Sequence, residues 1–131
     1  MQLVRNWILI ALSTLFLMAC SATGSPDKVA EAFIKAAAKG YVEKVMQLID
    51  IPNANQNELQ MIKGKVTMIV AEGSAKFEEQ GGLKSVKTLS TEYSENKTTA
   101  VVRVEVTMNN KQVDTDNVRT IKTDDGWKVK L

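Results

Sequence analysis

The sequence predicts an α+β fold in which N-terminal helices pack on one face of a curved four-stranded antiparallel sheet. Three observations predict it. Apolar residues recur at helical spacing from Pro26 to about Gln80, and at strand spacing from Leu83 onward. The two kinds of element are segregated, which favours helices layered on a sheet over alternating βαβ units. The strands are separated by short polar turns, so they follow one another as a meander.

Ser25-Pro26-Asp27 opens the first helix, with Ser as N-cap, Pro at the first position and an acid facing the helix dipole. Val29, Phe33, Ala36 and Ala37 share its apolar face, and Gly40 stops it. The alanine run Ala36-Ala37-Ala38 allows close contact between helix and sheet. A short second helix carries Val42, Val45, Met46 and Ile49, and Ile51-Pro52-Asn53 breaks it. Asn55 to Glu58 has the spacing of a capping box. The third helix follows with Leu59, Ile62, Val66, Ile69 and Val70 as its stripe, Gly73-Ser74 as a weak point, and Gly81-Gly82 as its end.

The first strand runs from Leu83 to about Tyr93. Val86 and Leu89 both look inward, which predicts a bulge. After a turn at Ser94 to Lys97, Ala100, Val102, Val104, Val106 and Met108 alternate with Val101, Arg103, Glu105 and Thr107. Asn109-Asn110 reads as a two-residue hairpin, because Asn tolerates positive φ. The third strand is expected from Lys111 to about Thr123. Asp124-Asp125-Gly126 turns the chain again, and Trp127, Val129 and Leu131 alternate inward in the last strand.

Ahead of this domain, Arg5 and the apolar run from Trp7 to Ala19 follow the pattern of a secretory signal. The run is short for a membrane span, which needs roughly 20 apolar residues. Ser21 to Pro26 reads as a small polar tether. Leu17-Met18-Ala19-Cys20 resembles the lipobox of bacterial lipoproteins. The resemblance implies a diacylglyceryl group on the Cys20 thiol, cleavage by signal peptidase II between Ala19 and Cys20, and acylation of the new amino group. Two or three acyl chains hold firmly where one is marginal. In Gram-negative lipoproteins an Asp after the cysteine commonly retains the protein at the inner membrane. Ser21 in that place implies outer-membrane sorting if the source is Gram-negative.

The expected division is thus a signal peptide at 1–19, a lipidated tether at 20–25 and one α+β domain at 26–131. Its formal net charge is near neutral, +2 for the whole chain, so composition points to no nucleic-acid partner. Cys20 is the single cysteine and there is no histidine. A Cys/His zinc site and a Ser-His-Asp triad are therefore excluded, and no cofactor or metal is expected.

The order of three helices, Gly81-Gly82 and four strands is similar to that of small bacterial lipoproteins with a lumazine-binding-like domain. Pro26-x-x-Val29-Ala30-x-x-Phe33, Gly81-Gly82-Leu83-Lys84-Ser85-Val86 and the closing Asp125-Gly126-Trp127-Lys128-Val129 carry the likeness. That domain belongs to the nuclear transport factor 2-like (cystatin-like) superfamily. The resemblance implies a cone in which a bent sheet wraps a long helix, a pocket at the open end, and pairing through the sheet.

Four acids are candidates for pocket chemistry: Glu92, Glu105, Asp114 and Asp116. Asp114 and Asp116 share one strand face and could act as a pair or take calcium; the plainer reading is a solvated face beside a hairpin. Glu72, Glu78 and Glu79 read as solubilising. Tyr41 and Tyr93 could line a pocket, the plainer reading being core or rim packing; Trp127 could stack on a ligand, the plainer reading being a buried strand anchor; Met46, Met61, Met68 and Met108 read as core filler. The expected function is a non-catalytic, lipid-anchored binding or interaction module of the cell envelope. Its expected partners are the membrane through its lipids, a protein or apolar small molecule, and a second copy. The alternatives are a surface lipoprotein contacting host or neighbouring cells, and a small pocket enzyme of the nuclear transport factor 2-like type.

Overall fold

The computed structural model describes residues 21–131. Three helices, α1 (Pro26–Ala38), α2 (Val42–Leu48) and α3 (Gln56–Glu79), precede four strands. The strands are β1 (Leu83–Tyr93), β2 (Thr99–Met108), β3 (Val113–Thr123) and β4 (Gly126–Val129). They pair antiparallel in the order β1-β2-β3-β4. This is the α+β class that the patterning predicts.

α1 is the helix that the sheet holds, touching all four strands as well as α2 and α3. Val29 and Ala30 are fully buried, and Ala36 is buried near the helix end. Ser25 occupies the N-cap with extended backbone, but its hydroxyl makes no capping bond. At the other end Gly40 adopts φ +76°. Its N–H donates to the Ala37 carbonyl, and the Tyr41 N–H donates to that of Ala36 at 3.0 Å. These two bonds make a Schellman ending, which the left-handed glycine permits.

α2 stops at Leu48, one residue short of the expected stripe. Ile49 is extended and bridges Val129 of β4, and the Asp50 N–H donates to the Val129 carbonyl at 2.8 Å. Pairing with the sheet there replaces the next helical turn.

α3 starts as expected: the Asn55 side chain accepts from the Glu58 N–H at 2.9 Å and donates to its carboxylate at 3.2 Å. Asn55→Ala should therefore lower stability by about 1 kcal/mol, readable in chemical denaturation. The helix continues unbroken through Gly73-Ser74. Its apolar stripe is narrower than expected. Val66 and Val70 are buried, Ile62 and Phe77 partly so, but Leu59 and Ile69 are exposed. The reason is that α3 rests mainly on α1 and α2 along one seam.

β2 alternates as expected, with Ala100, Val102, Val104, Val106 and Met108 all buried. The β1–β2 register shifts between Thr88 and Ser90, so the bulge falls on Leu89. Val86 is buried, but Leu89 is exposed rather than inward, because the bulged residue leaves the ladder. The β2–β3 connection also differs: it spans residues 109–112, and β3 starts at Val113. Lys111, not an asparagine, takes the left-handed conformation at φ +75°.

The asparagines instead latch the end of α3. The Asn109 N–H donates to the Gly82 carbonyl at 2.9 Å and its side-chain amide to Gly81 at 2.8 Å. The Asn110 N–H donates to the Gln80 carbonyl at 3.0 Å.

β4 buries Trp127 and Val129 and then ends, leaving Leu131 exposed rather than inward. Part of the expected tether is folded: Ser21–Thr23 form a 3-10 turn against α1 and β4. Gly126 sits at φ +104°, and an added Cβ would lie 2.8 Å from the Thr23 carbonyl oxygen.

Candidate functional site

The antiparallel register sets Val104 opposite Asp116 and Val106 opposite Asp114. Direct partners project from the same face, so both aspartates stand on the inner, helix-covered face of the sheet. Further along β3, the same parity carries Val118 and Thr120, which are buried. Asp114 and Asp116 are exposed, because the helices stop short of them. What remains there is a cleft of about 300 Å³ between the end of α3 and the sheet. A volume of that order suits a small ligand.

Ile34 from α1, Phe77 from α3, and Val106 and Met108 from β2 give the cleft apolar walls. Lys76, Gln80, Asp114, Thr115 and Asp116 supply its polar groups. The Asn109–Asn110 latch described above holds the last turn of α3 in place over it. Gln80 contributes a buried side-chain oxygen with no hydrogen-bond partner. Asp116 accepts from the Asn117 N–H at 2.8 Å. Among the described residues the ion pair formed is Lys63–Glu43, so Lys76 and the two aspartates are not paired with one another. Asp114 and Asp116 are thus brought together on a solvent-exposed strand face, as the plainer reading expected, and that face borders an apolar cleft.

A second concavity, broader at about 740 Å³, lies at the corner of α1 and α2. Its floor is apolar (Ala32, Ala36, Val42), and Lys35, Lys39, Lys44, Glu43 and Tyr41 surround it. Its one carboxylate, Glu43, is paired with Lys63, whereas the cleft brings two aspartates together.

The other residues singled out in the sequence scatter. Glu92 is exposed in a concavity of about 360 Å³ that Tyr93, Arg119 and Lys130 also line. Glu105 is half-buried on the outer sheet face, opposite Lys87. Glu72, Glu78 and Glu79 are exposed along α3. Among the described residues no group of three or more His, Cys, Asp or Glu side chains could hold a metal ion. Trp127 is the expected buried anchor, with Tyr93 edge-on at 5.9 Å.

Tyr41 and Tyr93 are more than half exposed, at the rims of concavities rather than in the core. Of the methionines, Met108 is core and Met46 packs against it, but Met61 and Met68 are 64% and 68% exposed rather than core filler. They lie on the side of α3 turned away from its seam. Ala19 and Cys20 lie outside the described residues.

Phe77 and Gln80 were not legible as site residues in the sequence. Gln80 looks like an ordinary position near a helix end, whereas Phe77 continues the buried side of Val66 and Val70 at helical spacing, a signal that could have placed it. The usable trace was on β3, where two aspartates occupy positions of inward parity.

A family model described as "Domain of unknown function (DUF4878)" matches residues 18–130. The fold is also similar to a crystal structure from Campylobacter jejuni at 2.00 Å, named "Putative NTF2-like transpeptidase". The two chains are 32% identical, with a TM-score of 0.74 over 82% of this chain and 99% of that one. None of the curated proteins matches this chain. These comparisons support the nuclear transport factor 2-like superfamily, and neither names the lumazine-binding-like group.

Proposed function

The chain belongs to the DUF4878 family and has a nuclear transport factor 2-like fold, and from that premise we propose that it is a lipid-anchored envelope protein whose domain binds a small ligand without converting it. The observation that carries this reading is the cleft at the end of α3: apolar walls, two unpaired aspartates and an unpartnered Gln80 oxygen. A ligand with an apolar body and a cationic, hydrogen-donating end fits that chemistry. The apolar part would be removed from water against Phe77 and Met108, while an ammonium group would meet Asp114 and Asp116. An N–H of the ligand would also satisfy Gln80, and a buried acceptor left unpaired costs about 1–3 kcal/mol.

The neighbour's name raises group transfer as a second reading. A covalent transfer needs an activated nucleophile or an acid poised near neutral pH. The chain has no histidine, and its single cysteine is the proposed lipid site. Asp114, Asp116 and Glu92 are open to solvent rather than enclosed. Binding is therefore the reading the geometry favours. The lipobox at Leu17 to Cys20 supports anchoring, and lumazine-binding-like lipoproteins are the sequence likeness that accompanies it.

Two measurements test the reading. Cys20→Ser should move the protein from the membrane to the soluble fraction; unchanged membrane association would overturn the anchor. Native mass spectrometry of the lipidated protein, gently extracted from its own membranes, should show a reproducible adduct beyond the acyl chains. Asp114→Asn/Asp116→Asn should lose that adduct, with a fall in occupancy of roughly tenfold or more for two charge-assisted contacts. An adduct unaffected by this variant would move the site away from the cleft.

A further inference from the structure

The exposed methionines are part of a regular feature. Met61, Gly64, Met68, Ala71 and Ala75 recur at spacings of three and four along α3, and all five are exposed. They line the side of the helix opposite buried Val66 and Val70. This spacing is that of a coiled-coil seam. An added Cβ at Gly64 would meet nothing within 4 Å, so the face is open there. α3 is therefore apolar on two faces, of which one is used by α1 and α2.

From this second face we infer that α3 is the contact surface for a second copy of the chain, in an antiparallel α3–α3 pair. The face is self-complementary in shape and charge only in that sense. With the two-fold axis near the level of Ile69, Met68 stands opposite Ala71 and Gly64 opposite Ala75, large against small. In the same register Lys65 of each copy stands opposite Glu72 of the other, giving two symmetric ion pairs beside the seam. A parallel pair would set Lys65 beside Gln60 and Glu72 beside Thr67, with no ion pair. The contact is confined to residues 64–75, because further out Met61 would meet Glu78 and Glu58 would meet Glu79.

Those twelve positions span roughly 18 Å at about 1.5 Å per residue. Such a short seam buries less than the ~800 Å² per partner of a standard interface. The pair is therefore weak in dilute solution, and attachment to one membrane would strengthen it by raising the effective concentration. The surface differs from the sheet, through which the fold resemblance suggests pairing.

The test is cross-linking of the full chain in its own membranes with a short bis-maleimide. Met68→Cys should give a covalent dimer, while Val101→Cys, on the exposed outer face of β2, should not. Adding K65E should lower the Met68→Cys dimer yield by about tenfold, since both ion pairs become repulsions. Adding E72K to that variant should restore it. A dimer from Val101→Cys and none from Met68→Cys would overturn the proposal and put the interface on the sheet. Failure of E72K to rescue would overturn the antiparallel register. The wild type should give no band, because an acylated Cys20 has no free thiol. A wild-type band would count against the lipid anchor alone, and the same comparison in a Cys20→Ser background would then decide the surface.

Discussion

Trp127→Ala should destabilise the domain by about 3–5 kcal/mol, the range for truncating a large aromatic in a packed core. Trp127 is only 8% exposed although it stands on the four-residue edge strand β4. Its ring meets Tyr93 edge-on, at 5.9 Å and 75° between planes. The indole therefore links the two ends of the meander, β4 and the end of β1. Removing it leaves a cavity and frees Tyr93, already half exposed, from its main aromatic contact. For a domain of this size a loss of that order should lower Tm by more than about 10 °C. An unchanged Tm would mean that the ring is not a core element and would direct attention to its exposed edge.

Leu48→Ala should cost about 2–5 kcal/mol. Leu48 is the largest of the fully buried side chains and the last residue of α2. The chain immediately after it joins the sheet through the Ile49–Val129 bridge and the Asp50 N–H to Val129 bond. α2 has only two buried residues, Val45 and Leu48, so losing one weakens the whole attachment. Chemical denaturation should show the midpoint falling with little change in slope, as for a pure stability change. A change below about 1 kcal/mol would mean that α2 is held by the backbone bridge alone.

The parts of the fold legible in the sequence were those with a strong period or a local chemical cause. β2 alternates strictly, and a one-residue slip would expose five apolar side chains, so its inner face was readable. The Asn55–Glu58 box and the Gly40 ending were readable because caps use side chains or backbone freedom found within a few residues. Where the structure departs from the sequence expectation, the cause is not local. Apolar type and helical spacing assign Leu59, Ile69, Met61 and Met68 to the core, but they do not say how many faces of a helix are covered. Leu131 has inward parity but lies past the strand end, and Leu89, out of parity with Val86, is itself the bulged residue that leaves the ladder. Asn109 and Asn110 look like turn residues, and nothing local says that they bind the end of α3, 28 residues away for the Asn109–Gly81 bond.

The candidate cleft divides along the same line. Asp114 and Asp116 were visible as a pair on one strand face, because strand parity is a local property. Their apolar surroundings were not, since Ile34, Phe77 and Met108 come from three different elements. By itself, the sequence determined the α+β order, the four-stranded meander, the buried anchor Trp127 and the exclusion of histidine chemistry. These follow from period, composition and short-range backbone rules. Only the tertiary structure decided that α1 rather than α3 lies against the sheet, and that the helices stop short of two aspartates. It also decided that α3 keeps a second apolar face in solvent. Those outcomes depend on which surfaces meet across long sequence separations, and burial is a property of the pair in contact rather than of either residue.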